Sequence, residues 1–236
     1  MTIKNSTLFI SDLHLDPGQP HIIKTFFYFL EKIAPTADAL YILGDCFESY
    51  IGDDEKNKFI ESITEALRTL SDKGVPIFFM HGNRDFLVGQ RFASRANVTL
   101  ISDPLMITLY NQFVLLMHGD SLCTDDHGHQ RFRKITRHTA VQKIFLLLPL
   151  SFRQKIAKKL RETSQQHNRM KRQAIMDVNE VAVSEALKTH HAAYLIHGHT
   201  HRPMLSDTRI VLGAWHESGN YLRISSDGKK EWVVMS

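Results

Sequence analysis

Five short apolar runs, at residues 7–10, 39–43, 76–80, 113–117 and 193–196, each hand the chain on to a polar cluster. The clusters contain Asp12 and His14; Gly44 and Asp45; Gly82, Asn83, Arg84 and Asp85; His118, Gly119 and Asp120; and Gly198, His199 and His201. Uncharged runs of this length, bounded by turn residues, predict strands buried on both faces. Apolar residues at helical spacing follow the first two, over 21–34 with Pro35 as the stop and over 57–73 with Gly74 as the stop. Strand alternating with helix predicts an α/β fold. In such sheets ligands gather at the carboxyl ends of the strands, where all five clusters fall.

Asp12 and His14, like His199 and His201, lie two residues apart, so extended backbone would turn both side chains of each pair to one face. Gly44 and Gly198 let the chain leave the sheet sharply. Carboxylates, imidazoles and one amide, without a thiolate cluster, suit Mn²⁺, Fe²⁺, Co²⁺, Mg²⁺ or Zn²⁺. Seven candidates (Asp12, His14, Asp45, Asn83, His118, His199 and His201) exceed what one ion needs. Two ions sharing a carboxylate, for which Asp45 is the best placed, suit in-line hydrolysis of a phosphoester or phosphoanhydride. Arg84 is expected to offset charge on phosphate oxygens with its planar fork, or else to pair with Asp85.

The second half of the chain differs. Thirteen Lys and Arg stand against one acid, Glu162, between Arg131 and Arg172. Such asymmetry predicts an anionic partner or substrate. Val141, Ile144, Phe145 and Leu148 form a helical stripe, and Leu146 and Leu147 make its end apolar all round. A strongly basic helix is expected over 153–161 and a longer one over 164–190, with Ile175, Val178, Val181, Ala182 and Leu187 inward. Short hairpin-like strands are expected near 209–212, 221–225 and 232–235, with Gly219 and Gly228 at turns. The first residues do not read as a secretory signal and no run reaches the length of a membrane span. Cys46 and Cys123 are too few for a disulfide framework.

The five blocks, in this order, resemble the signature of calcineurin-like metallophosphoesterases. The resemblance implies an α/β fold of two sheets packed as a β-sandwich and flanked by helices. It implies two divalent metal ions, Mn²⁺ foremost, with Asp12, His14 and His201 on one, Asn83, His118 and His199 on the other, and Asp45 between them. The block around Asn83 departs from the usual pattern, because Arg84 replaces a His that most members use near the leaving group.

That departure, with the phrases around Phe47, Glu48, 51–54, 84–87, 118–126, 148–150 and 175–178, resembles the UDP-2,3-diacylglucosamine diphosphatase family of lipid A biosynthesis. Tyr50 stands where that family leads one to expect Trp. The resemblance covers nearly the whole chain. It implies one domain over residues 1–236, with a lid-like helical insertion at about 127–163. It also implies water attack on the α-phosphorus to give UMP and 2,3-diacylglucosamine 1-phosphate. Asn83 and Arg84 would be catalytic, and Asn83, Arg84, Asp126, Ser164, Asn168, Lys171 and His199 would contact the substrate. Ser164, Asn168 and Lys171 fall on one face of a helix. The apolar helix end over 144–150 is expected to line an acyl-chain chamber, to rest on a membrane, or to pack on the body. The expected setting is peripheral, on the cytoplasmic side of the bacterial inner membrane, against its anionic surface. Nucleic acid is not expected, since the basic segment holds only Phe132, Phe145 and Phe152 as aromatics and no Tyr or Trp for base stacking. No obligate protein partner is expected.

Overall fold

Both faces of almost every central strand are apolar, and the fold follows from burying them. The computed structural model describes residues 5–170 and 177–235, with the backbone alone for 164–170. In chain order it contains β1 (Ser6–Ile10), α1 (Pro20–Tyr28), β2 (Ala39–Leu43), α2 (Lys58–Asp72), β3 (Ile77–Met80), α3 (Gln90–Ala96) and β4 (Thr99–Ile101). Next come β5 (Leu105–Leu109), β6 (Gln112–Leu116), α4 (His127–Thr136), α5 (Thr139–Leu147), α6 (Leu150–Met170), α7 (Glu180–His190) and β7 (Tyr194–His197). The strands β8 (Met204–Leu205), β9 (Arg209–Val211), β10 (Asn220–Ser225) and β11 (Lys230–Val234) finish the chain.

One sheet has the order β11-β10-β1-β2-β3-β4 and the other β5-β6-β7-β9-β8. Alternate residues of each strand serve different cores. Leu8, Ile10, Leu40, Ile42, Ile77 and Phe79 face a layer holding α1, α2 and α3. Their neighbours Phe9, Leu43 and Met80 meet Val114, Leu116, Tyr194 and Ile196 between the sheets. Leu115 and Leu195 face outward again, onto Val178 and Val183. The result is a β-sandwich with helices on both outer faces.

Helices α2, α4, α5 and α7 begin where a side chain satisfies free backbone N–H groups. The Asn57 side chain accepts from Ile60 N (2.8 Å) to start α2, and Gly74, at φ 81°, follows its end. The first expected helix is shorter than its apolar spacing implied. After Tyr28 it widens into a π-helical turn over Phe29–Ile33, and Pro35 lies in the 3₁₀ turn Ala34–Thr36 that ends it.

Two expectations are corrected. The helix expected over 164–190 is two elements. Residues 164–170 continue the basic helix as α6, and α7 starts anew at Glu180. Asn179 forces the break, because its side chain accepts from both Val181 N (2.9 Å) and Ala182 N (3.2 Å) as an N-cap. Apolar spacing ran through the break, since Val178 is buried from a non-helical segment, while Val181 is exposed. Ile175 lies outside the described residues. The terminal strands are also not one hairpin series. Only β10 and β11 pair that way, around Gly228, whereas β9 lies in the other sheet, parallel to β7. No described helix is long and apolar enough to cross a membrane.

Strand β6 offers a direct test of the two-core packing. Leu116 is fully buried between the sheets, while Phe113 is 61% exposed. Leu116→Ala is expected to lower unfolding stability by about 2–5 kcal/mol, and Phe113→Ala to stay within about 0.5 kcal/mol. Urea denaturation of the two variants measures the difference.

Candidate active site

The loops after β1, β2, β3, β6 and β7 converge where the two sheets meet. They are cross-tied by backbone hydrogen bonds: Asp12 N donates to Gly44 O (3.0 Å), His14 N to Asp45 O (3.0 Å) and Gly198 N to His118 O (2.9 Å). Two glycines make the approach possible. Gly44 sits at φ 89° with its missing Cβ aimed at His118 and the backbone of Gly82, and a Cβ on Gly82 would strike Asp45.

The expected extended pairs are not extended. Asp12, His14, Asp45, His199 and His201 all hold positive φ, between 48° and 68°. This left-handed conformation costs free energy for residues with a Cβ, and it concentrates where a site over-determines the backbone. Both members of each pair still turn toward the site, by local strain rather than by strand alternation.

The seven side chains form two adjoining groups. In the first, His14 Nε2 lies 3.2 Å from His201 Nε2, and His201 Nε2 lies 3.4 Å from Asp12 Oδ1. In the second, Asn83 Oδ1 lies 3.1 Å from His118 Nε2 and 3.0 Å from His199 Nδ1. Asp45 stands between them, with Oδ2 3.9 Å from His14 Nε2 and Oδ1 3.8 Å from His118 Nε2. Arg84 N fixes that carboxylate by donating to its Oδ1 (2.8 Å).

Three imidazoles are gripped from behind. The nitrogen of each that points away from the site has a polar neighbour: Leu43 O 2.9 Å from His118 Nδ1, the Glu48 carboxylate at an ion-pair distance of 2.9 Å from His14 Nδ1, and His216 Nε2 3.2 Å from His201 Nδ1. Outer partners of this kind fix which nitrogen offers its lone pair inward. Asp12 Oδ1 is buried without a hydrogen-bond donor, an expensive state unless a cation meets it. The donor set therefore fits divalent metal. Asp12, His14 and His201 group tightly enough to hold an ion, and so do Asp12, Asp45 and His118.

The electrostatics agree. Burial would raise the Asp12 carboxyl, yet the nearby imidazoles of His201, His118 and His14 hold it far below the usual range. Burial pushes Asp45 up. Burial opposes protonation of His118, but Asp45, Asp120 and Asp12 outweigh it and push the imidazole up to about 9. Burial and His118 push His199 down to about 3. Buried acids here attract positive charge that the histidines supply only in part.

Arg84 does not pair with Asp85. Asp85 is fully buried, accepting from Cys46 N (2.7 Å) and Gly82 N (2.7 Å), and so ties two of the site loops together. The acid near Arg84 is Glu48, 3.6 Å from NH1. Asp126 is buried and caps α4 by accepting from His129 N (3.0 Å). Ser164 and Asn168 lie on α6, with side chains outside the described residues, and Lys171 lies wholly outside them.

The basic segment is not a free cationic surface either. Arg133 Nε donates to Asp120 (2.9 Å) and Arg137 to Gly82 O (2.8 Å), so α4 grips two site loops. Arg153 is buried, bonded to Asp54 and to Ile51 O (2.7 Å). Arg161 lies 3.3 Å from Glu48. Four of the arginines thus hold the helices α4 and α6 to the body. Lys143, Lys155, Lys158 and Lys159 remain exposed.

Two cavities meet at Asn83, Arg84 and His129. One, of about 220 Å³, is polar and holds Asp45, His199 and His201. The other, of about 270 Å³, runs under α5 and α6 and is walled by Phe86, Phe132, Phe145, Ile156, Ala157 and Leu160.

A sequence profile described as calcineurin-like phosphoesterase matches residues 6–203. The chain belongs to the calcineurin-like phosphoesterase family. A relative named UDP-2,3-diacylglucosamine hydrolase, from Coxiella burnetii (strain Dugway 5J108-111), is 53% identical over 95% of this chain and 96% of its own. Proteins of the same name from Pectobacterium carotovorum subsp. carotovorum (strain PC1) and Yersinia pestis bv. Antiqua (strain Angola) are 48% and 46% identical, over 93% and 94% of this chain and 95% and 96% of theirs. In fold, the chain is similar to a solved structure described as a novel archaeal phosphodiesterase, with TM-score 0.51 and 12% identity over 98% of this chain and 99% of that one.

Sequence reasoning did not single out His129 or His216, and it named Asp85 as a partner for Arg84 rather than as the tie between two site loops. Each of the two histidines lies beside a residue that was singled out, but its spacing carried no separate signal. Asp45→Ala removes the carboxylate standing between the two groups. The variant is expected to hold fewer than two Mn²⁺ per chain by calorimetric titration, against two for the unaltered protein. Since a protonated imidazole cannot ligate, Mn²⁺ affinity of the unaltered protein is expected to rise as pH rises toward about 9.

Proposed function

We propose that this phosphoesterase hydrolyses the diphosphate of UDP-2,3-diacylglucosamine, releasing UMP and 2,3-diacylglucosamine 1-phosphate. The observation that carries the reading is the junction of the two cavities: a polar pocket with a metal-type donor set opens directly onto an apolar chamber. A diphosphate joined to an acylated sugar has that same division. The name shared by relatives at 46–53% identity supports the same substrate.

In this reading Asp12, His14 and His201 hold one divalent ion, Asn83, His118 and His199 the other, and Asp45 bridges them. Mn²⁺ is the proposed metal. When bound, such a pair lowers the pKa of a water molecule and draws charge from a phosphoryl oxygen. Arg84, at the cavity junction, places its planar fork on phosphate oxygens as negative charge builds in the transition state. Asn83, fixed between His118 and His199, orients the same phosphate. Asp126, Ser164, Asn168 and Lys171 are proposed to contact the sugar-phosphate, and the apolar walls of the chamber keep water from the acyl chains. Attack falls on the α-phosphorus, so the leaving group is a sugar phosphate, which departs more readily than an alkoxide.

The outer side of the helical insertion suits the inner leaflet from which such a lipid must come. Ile144, Leu147 and Phe152 are exposed there, with Lys143, Lys155 and Lys159 also exposed along α5 and α6. Apolar side chains with lysines around them favour peripheral contact with an anionic surface. The proposed location is therefore the cytoplasmic face of the inner membrane.

Incubation with UDP-2,3-diacylglucosamine, detergent and Mn²⁺ in ¹⁸O water, followed by ³¹P spectroscopy, tests the reaction. Label in UMP is expected. Label in the sugar phosphate would move the attack to the β-phosphorus, and no turnover would overturn the substrate. Arg84→Ala is expected to lower kcat about 10²–10³-fold while leaving Mn²⁺ affinity unchanged, as turnover and titration together would record.

A further inference from the structure

Among the described residues, Glu48 is the acid that lies near the metal-type centre, the cavity junction and the helical insertion together. Its Oε2 lies 2.9 Å from His14 Nδ1, while its Oε1 lies 3.6 Å from Arg84 NH1 and 3.3 Å from Arg161 Nε, a residue of α6. The side chain is only 15% exposed. Among the described residues, no other acid lies as close to Arg84 or Arg161: the other acid near Arg161 is Asp16, at 3.9 Å.

The backbone fixes this placement. The loops after β1 and β2 continue the parallel pairing of their strands, with an isolated bridge between Leu15 and Phe47. Leu15 N donates to Cys46 O (2.9 Å) and Glu48 N donates to Leu15 O (3.1 Å). Asp85 holds the same loop from the other side through Cys46 N. Glu48 therefore has little freedom to be anywhere but behind His14. A carboxylate behind a ligating imidazole fixes its tautomer and raises its basicity.

We propose that Glu48 is a positioning residue with two separable duties. One oxygen sets the His14 ring so that Nε2 faces the ion held with Asp12 and His201. The other holds Arg84 and Arg161 across the junction where the anionic part of the substrate enters. The second duty rests on the substrate reading given above; the first rests only on the donor set.

Two variants of the full chain separate the duties. Glu48→Ala removes both, whereas Glu48→Gln keeps an acceptor oxygen for His14 Nδ1 and removes the charge that holds the arginines. In Mn²⁺ titrations without substrate, Glu48→Ala is expected to weaken one of two ions by about 10–100-fold and leave the other unchanged. Glu48→Gln is expected to restore that ion to within about threefold of the unaltered protein. At saturating Mn²⁺, both variants are expected to raise KM for UDP-2,3-diacylglucosamine with kcat changed less. Thermal unfolding in chelator checks that both variants fold alike. Unaltered Mn²⁺ binding in Glu48→Ala would overturn the first duty, and unaltered KM in Glu48→Gln the second. The titration needs no substrate, so a wrong substrate assignment would leave its result standing.

Discussion

A buried carboxylate, Asp45, lies between two clusters of carboxylate, imidazole and amide groups, and the geometry around it depends on keeping it there. Its oxygens reach toward His14 on one side and His118 on the other, and a backbone N–H of Arg84 pins one of them. Asp12 and Asp120 are buried nearby. Gathering acids out of water is expensive unless cations offset them. The strained backbone at Asp12, His14, Asp45, His199 and His201 is the conformational side of that cost. The sandwich of two sheets bears it, since the loops are locked to one another by hydrogen bonds and by glycines that allow no side chain between them.

The helical insertion is part of this arrangement. Its arginines reach back to Asp120, Gly82, Asp54 and Glu48, so the helices that roof the apolar chamber also brace the site loops. Part of the positive charge that looks like surface decoration in the sequence is internal bracing. The exposed lysines are what remains for an anionic surface.

Strand-end chemistry was legible because it is local. An apolar run, a glycine and a polar residue are adjacent in the chain, and the order of five such units identifies the strands and their ligand-rich edge. The long-range facts were less legible. Which sheet β9 joins depends on pairing with β7 rather than on its own residues. The start of α7 depends on one Asn side chain capping backbone N–H groups, which apolar periodicity does not register. The partners of Arg84 and Arg133 are set by loops distant in sequence. Glu48 was visible only as part of a family phrase, because its role comes from the pairing of two loops rather than from any spacing.

The central claim is that the polar pocket and the apolar chamber act as one site for one amphiphilic substrate. Ala157 lines the chamber and is not among the seven metal-type residues. The most direct measurement is steady-state kinetics of Ala157→Trp with UDP-2,3-diacylglucosamine, beside its Mn²⁺ affinity. Filling the chamber is predicted to raise KM at least tenfold, about 1.4 kcal/mol of lost binding, with Mn²⁺ affinity unchanged. An unchanged KM in a variant that folds and binds metal normally would contradict the account, leaving the chamber as mere packing space beside an independent hydrolytic centre.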